Sequence, residues 1–203
     1  MTLVDVGGSI DGRTARANRT RAAVVDALLA LLEEGDLRPP APRIAERAGV
    51  SLRSIFQHFT DREALFAAVA RAQLDRMRAN AHPIPLDGDL SKRLAAFVHQ
   101  RARVLEALTP VRRAALLYEP FSPQLQAARR TASDLGRAEV ARVFGPELRA
   151  HRGAARARLL DATDAAAGWT AWDRLRSDAG LDPEAAASAM TRTIAALLGG
   201  GAA

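Results

Sequence analysis

Residues 43–59 read RIAERAGVSLRSIFQHF. A short apolar-periodic segment, 43–48, runs into Gly49, a residue that turns a chain at little steric cost. Ser51 is a good N-cap, and a second short helix is expected to run from it to Phe59. Two short helices about a glycine turn are the layout of a helix-turn-helix, whose second helix can enter the major groove of DNA. On that second helix, steps of about 100° put Ile55 and Phe59 on one side and Arg53 and Gln57 almost opposite. The apolar pair must face a core, which turns Arg53 and Gln57 outward. Arginine can take a guanine edge with two hydrogen bonds and glutamine an adenine edge, so these two are the expected base readers.

Working outward, a helix is expected over 16–34, with Val24, Val25, Leu28, Leu31 and Leu32 on one stripe and Gly35 as its stop. Arg13, Arg16, Arg19 and Arg21 form a basic arm with no acid among them, behind a start, 1–12, expected to be disordered. Arg16 and Arg19 are candidate DNA contacts; a solvated helix entrance is the alternative. Pro39, Pro40 and Pro42 forbid a continuing helix and leave Pro42 suited to a first turn. Downstream, Thr60 and Glu63 stand in capping-box register before a helix carrying Leu65, Phe66, Val69 and Met77 and ending before His82. The stretch 82–89, with Pro83, Pro85 and Gly88, is the clearest linker. It divides a helix-turn-helix domain, 13–80, from a helical domain, 81–203.

Five further helices are expected, at about 91–108, 110–118, 123–144, 154–177 and 183–198. Three open on a cap followed by proline: Thr109-Pro110, Ser122-Pro123 and Asp182-Pro183. No strand alternation competes with helical spacing, so the chain reads as all-α with about nine helices.

A length of 203 residues with 48% hydrophobic content suffices for one or two cores without covalent staples. The absence of cysteine excludes disulfides, thiolate metal sites and cysteine nucleophiles, and fits a cytoplasmic protein. No apolar run approaches the roughly 20 residues of a membrane span, and residues 1–12 lack the pattern of a signal peptide. The net charge of +6 suits a polyanion partner. It is not concentrated at the helix-turn-helix, however: residues 1–78 carry 12 Arg against 10 acids, and residues 79–203 carry 17 basic residues against 13 acids. Bulk charge therefore decides nothing. No HExxH, Glu-x-x-His pair, glycine-rich phosphate loop or nucleophile-base pair is present, so neither an enzyme nor a metal or cofactor site is expected.

The stretch IAERAGVSLRSIFQHFTDREALF, residues 44–66, resembles the signature of the TetR/AcrR family of bacterial regulators. The resemblance implies a three-helix DNA-binding head and a helical ligand-binding and dimerisation domain. It also implies a homodimer on a double-stranded operator and release by a small molecule that shifts the fourth helix. By the same resemblance Arg62 stands where the family usually has a phosphate-binding lysine, Ser54 at a position that often touches phosphate, and His58 at a frequent family histidine. A packed His58, or an Arg62 exposed near Asp61 and Glu63, is the plainer alternative. Two positions depart from the pattern. Phe56 replaces the common tyrosine, so its ring cannot donate to phosphate and is left to packing or a thymine methyl. Ala41 and Pro42 stand where a threonine cap and polar contacts often lie.

In the second domain, Leu94, Phe97, Val98, Leu105 and Leu108 form an apolar stripe interrupted by Arg101. A charge on a core face is costly unless paired, so Arg101 either meets an acidic or polar ligand, pairs with an internal acid such as Asp164, or reaches solvent along its stem. Phe97, Tyr118 and Trp169, with Arg101, are the candidate ligand contacts. Trp169 and Trp172 can equally pack in the core or at a dimer seam. The last helix, with Ala185, Ala186, Ala187, Ala189, Met190, Ile194 and Leu197, offers a narrow face suited to a partner copy; a core helix of the single chain is the alternative. Three functions compete: a ligand-responsive repressor, a helical enzyme and a partner-binding scaffold. Salt-dependent, sequence-selective DNA binding separates the first from the others.

Overall fold

The computed structural model describes the backbone of residues 7–80 and 82–199, and side chains from Gly12 onward within that range. Every regular element among the described residues is helical. They are α1 (Gly7–Glu33), α2 (Ala41–Ala48), α3 (Leu52–His58), α4 (Arg62–Ala79), α5 (Leu90–Ala115), α6 (Pro123–Val143), α7 (Gly145–Arg149), α8 (Gly153–Ala166), α9 (Trp169–Asp173) and α10 (Pro183–Gly199). A short 3-10 turn, Glu119–Phe121, precedes α6, and a π-helical turn, Arg174–Asp178, continues α9. None of these helices is long and apolar enough to cross a membrane.

The chain packs as two units, and one cut at the 82–89 linker does not separate them. The first comprises the chain up to Arg76 together with Pro110–Ala128; the second comprises Met77–Thr109 and the chain from Arg129 onward. In the first, the expected α1 stripe is fully enclosed and is joined by Ile44, Ile55, Phe59, Leu65, Phe66 and Val69. Val111, Ala114, Ala115 and Leu125 complete this core from the 110–128 segment. In the second, Phe97, Val98, Leu105, Val140, Phe144, Trp172, Met190 and Ile194 pack together.

Local chemistry explains most boundaries. Gly49 adopts the left-handed conformation at the end of α2 (φ 65°), and its N–H and that of Val50 return to α2 carbonyls. Ser51 caps α3 by accepting from the Ser54 N–H. Asp61 caps α4 by accepting from the Ala64 N–H at 2.7 Å, so the cap lies one residue beyond the expected Thr60; the Thr60 hydroxyl donates to Asp61 instead.

Four expectations are corrected. Helix α1 begins at Gly7 and not near Arg16, so Arg13 stands on the same helix as Arg16 and Arg19; residues 1–6 of the start expected to be disordered lie outside the described residues. The helices expected at 91–108 and 110–118 are one helix running through Pro110, held on the far side by Val111, Ala114 and Ala115 in the first core. The helix expected at 154–177 breaks at Gly168, which is extended (φ −80°, ψ 161°) and caps α9. A Cβ there would sit 3.2–3.3 Å from the carbonyl oxygens of Asp164 and Ala165, closer than an ordinary contact. Finally, α10 turns Ala186, Met190, Ile194 and Leu198 into its own unit's core, which leaves Met190 and Ile194 unable to face a partner.

Candidate nucleic-acid interface

Helix α3 is too short to be stable alone and is held by what it buries. Ile55 and Phe59 are 3% and 2% exposed. Their neighbours α1 and α2 are themselves tied together, because Arg47 donates both terminal nitrogens to the Glu34 carboxylate and Arg43 pairs with Asp36 at 2.9 Å. Arg21 fastens α1 to the end of α3: one terminal nitrogen donates to the His58 carbonyl at 2.9 Å, and the guanidinium lies 4.5 Å over the Phe59 ring. Sequence reasoning placed Arg21 in the basic arm; the four-residue spacings that could reveal contacts within a helix say nothing about one 37 residues away.

With that side fixed, Arg53 and Gln57 point to solvent, and neither makes a hydrogen bond or ion pair within the described residues. An arginine with no internal partner and a glutamine beside it leave five N–H donors and an amide free for an external edge. Phe56 is 63% exposed and Leu52, which the sequence reading did not single out, is 40% exposed. Ser54 is half-buried, its hydroxyl 2.9 Å from that of Ser51, and His58 is half-buried beside the Arg21 contact. Arg16 and Arg19 are exposed on α1 without partners among the described residues.

Arg62 is engaged. It opens α4, donates to the Pro39 carbonyl at 3.0 Å and approaches the Tyr118 hydroxyl at 3.4 Å. Tyr118 stacks on Phe66 with ring centroids 4.8 Å apart. Tyr118 therefore belongs to the first unit, whereas the other candidate ligand contacts, Phe97, Arg101 and Trp169, belong to the second.

In the second unit Phe97 is fully enclosed and meets Phe144 edge-on at 5.0 Å. Arg101 lies 4.8 Å over the Phe97 ring and is 7% exposed. It pairs with Glu139 at 3.2 Å and donates to the Gly136 carbonyl, where a Cβ would stand 2.8 Å from a guanidinium nitrogen. The internal acid is thus Glu139; Asp164, the acid named from sequence, pairs with Arg137. The Arg101 Nε is buried with no acceptor among the described residues. Burial pulls this guanidinium below the usual arginine value, and the charges of Glu139 and Asp164 oppose that pull. The Trp169 indole donates to Thr109 at 3.1 Å and the enclosed Trp172 donates to Glu106 at 2.7 Å, so Trp172 is a core residue. A shallow open hollow of about 390 Å³ on α10 is lined by Ala189, Arg192 and Thr193, none of them among the four candidates. The described residues hold no cluster of three or more His, Asp or Glu side chains able to bind a metal ion.

Comparison with known proteins falls on the same elements. Residues 24–69, which run from the α1 stripe through α3 into α4, match the family model of bacterial regulatory proteins, tetR family. The crystal structure of a transcriptional regulator from Rhodococcus sp. Rha1 superposes with a TM-score of 0.64 at 24% identity, covering 91% of this chain and 96% of that one. At that identity the likeness is one of fold. No curated protein sequence matches the chain significantly.

Proposed function

We propose, from the match of residues 24–69 to the family model of bacterial regulatory proteins, tetR family, that this chain is a regulator of that family and represses transcription by holding a short palindromic operator. It does so as a homodimer in the cytoplasm, and a small molecule releases it. Residues 13–80 serve as the reading head, and residues 81–203 as the sensing and dimerisation domain. The observation that carries the DNA-binding half is α3: two apolar side chains fix it in the core while Arg53 and Gln57 stand opposite with no partner among the described residues. Arg16 and Arg19 supply phosphate contacts that position the head without reading sequence. Ser54 and His58 lie at the same edge. Arg62 meets phosphate at the start of α4 with the N–H donors that Pro39 and Tyr118 leave unused, where the helix dipole favours an anion. The test is competition on genomic fragments, beginning with the region upstream of the protein's own gene. At moderate salt the protein should select a fragment at least 1,000-fold over random duplex, roughly the lower bound for specific regulators. Equal affinity for all fragments overturns the reading.

The ligand half is supported by Arg101, a buried charge with one donor unserved, set between Phe97 and Glu139. With Trp169, of the same unit, these residues offer the polar point and the apolar side chains that a small molecule needs. Tyr118, the fourth candidate contact, stacks on Phe66 and approaches Arg62 of α4 within the first unit. A coupling of about 1–3 kcal/mol suffices to weaken operator binding 5- to 150-fold. Replacing Arg101 by methionine, similar in volume and uncharged, should lower the melting temperature, because it takes the counter-charge from Glu139; the loss stays small because Glu139 is itself 26% exposed and keeps the hydrogen bond from Gln100. The same variant should lose the response to any compound that releases the wild type. A variant that still responds fully excludes Arg101 from the ligand site. A protein that no compound releases is the alternative, an orphan regulator.

A further inference from the structure

This inference rests on the reading of α3 as the helix that enters the groove. Leu52 and Phe56 are four residues apart, so they form one apolar strip on α3, about 100° around the helix from the strip formed by Arg53 and Gln57. The first core does not take them: its share of α3 is Ile55 and Phe59, while Leu52 and Phe56 are 40% and 63% exposed. Single exposed apolar residues are ordinary on protein surfaces. Two of them side by side along the base readers are a surface of defined chemistry. Neither side chain has an atom that can bond to phosphate or to a polar base edge. The major-groove edges of the four base pairs carry one apolar group among them, the C5-methyl of thymine.

We propose that Leu52 and Phe56 form an apolar clamp that reads the C5-methyl of thymine beside the bases taken by Arg53 and Gln57. The operator half-site then contains a thymine at a fixed step from the positions read by the polar pair. Specificity at that step comes from a methyl group and not from a hydrogen bond.

The probe is a duplex enriched by the wild-type protein from a random-sequence library. Each thymine is replaced in turn by deoxyuridine, which removes the methyl and leaves every hydrogen-bonding group in place. Affinities are then measured for the wild type, Phe56→Ala, Leu52→Ala and Phe56→Leu. At one or two neighbouring positions per half-site the wild type should bind the deoxyuridine duplex about fourfold more weakly, the effect of burying one methyl-sized group. Phe56→Ala should bind the two duplexes alike there, Leu52→Ala should narrow the gap, and Phe56→Leu should restore part of it. All three variants should melt with the wild type, since neither position contributes to the core. A wild type that prefers its duplex over a scrambled one yet ignores deoxyuridine everywhere overturns the clamp and leaves the proposed function standing. So does a Phe56→Ala variant that keeps the full discrimination, which would assign the strip to a protein partner. Failure to enrich any duplex overturns the proposed function, and the clamp with it.

Discussion

A protein in which Arg53 and Gln57 are both alanine should lose about a thousandfold of its selectivity between duplexes and keep only the small preference that the thymine methyls give. A good bidentate pair discriminates against a wrong base by about 1–3 kcal/mol. Two such pairs per head and two heads per operator give about 4 kcal/mol even at the lower end, roughly a thousandfold in selectivity. Residual binding should persist and stay salt-dependent, because Arg16 and Arg19 remain exposed on α1, without partners among the described residues. Folding should be untouched, since both positions are exposed and surface changes of this kind stay within about 0.5 kcal/mol. Titrations of the wild type and the double variant against an enriched and a scrambled duplex check this. Selectivity that the double variant retains in full contradicts the assignment of Arg53 and Gln57 as base readers.

The largest stability loss is expected far from that helix, at Glu147→Leu. Arg93 and Glu147 form a bidentate pair with side-chain exposures of 5% and 16%, and Arg93 also donates to the Val143 carbonyl at 2.6 Å. Removing the carboxylate leaves a buried guanidinium without its hydrogen-bonded counter-charge, with only the more distant charge of Asp89 in its favour, a change that costs about 3–5 kcal/mol. The Val143 hydrogen bond keeps the loss toward the lower figure. The double variant Arg93→Met/Glu147→Leu should recover most of it, because the pair contributes less than the removal of either partner suggests. Arg93 holds the Glu147 carboxyl below the usual carboxylate value by its hydrogen bonds, against the opposing effect of burial. Its folded-state pKa is therefore depressed. The contribution is complete above the unfolded value, about 4.3, and is lost as pH falls through the folded one. Urea denaturation from pH 7 to pH 3 should show the gap between wild type and Glu147→Leu closing at the acid end. A gap that is constant with pH removes the carboxylate from the account.

The part of the molecule legible in sequence is the part whose chemistry is local. Gly49 and Ser51 announce the turn and the cap of α3 because each acts on residues within a few positions of itself. The α1 stripe and the pair Ile55 and Phe59 follow from helical spacing, which fixes direction without any knowledge of the partner. What was not legible depends on distant residues. Pro110 sits inside a helix because residues after it are held in the first core, whereas the dipeptide Thr109-Pro110 by itself signals a start. Gly168 breaks a helix that its alanine-rich neighbours would continue. Arg101 could be read as a charge that needs a partner, but spacing could not choose between Asp164 and Glu139, which stand on different helices. In the same way, nothing near Arg62 in sequence points to Pro39 or Tyr118.

The central claim, that Arg53 reads a base while Arg62 touches the backbone, is tested most directly by the affinity of Arg53→Ala and Arg62→Ala for every single-base variant of the enriched duplex, at several salt concentrations. Arg53→Ala should relax preference at one position per half-site and leave the others as they are. Arg62→Ala should weaken all duplexes alike and reduce the salt slope by roughly 1 for each phosphate that is no longer neutralised. Equal, sequence-independent losses from both variants would contradict the account.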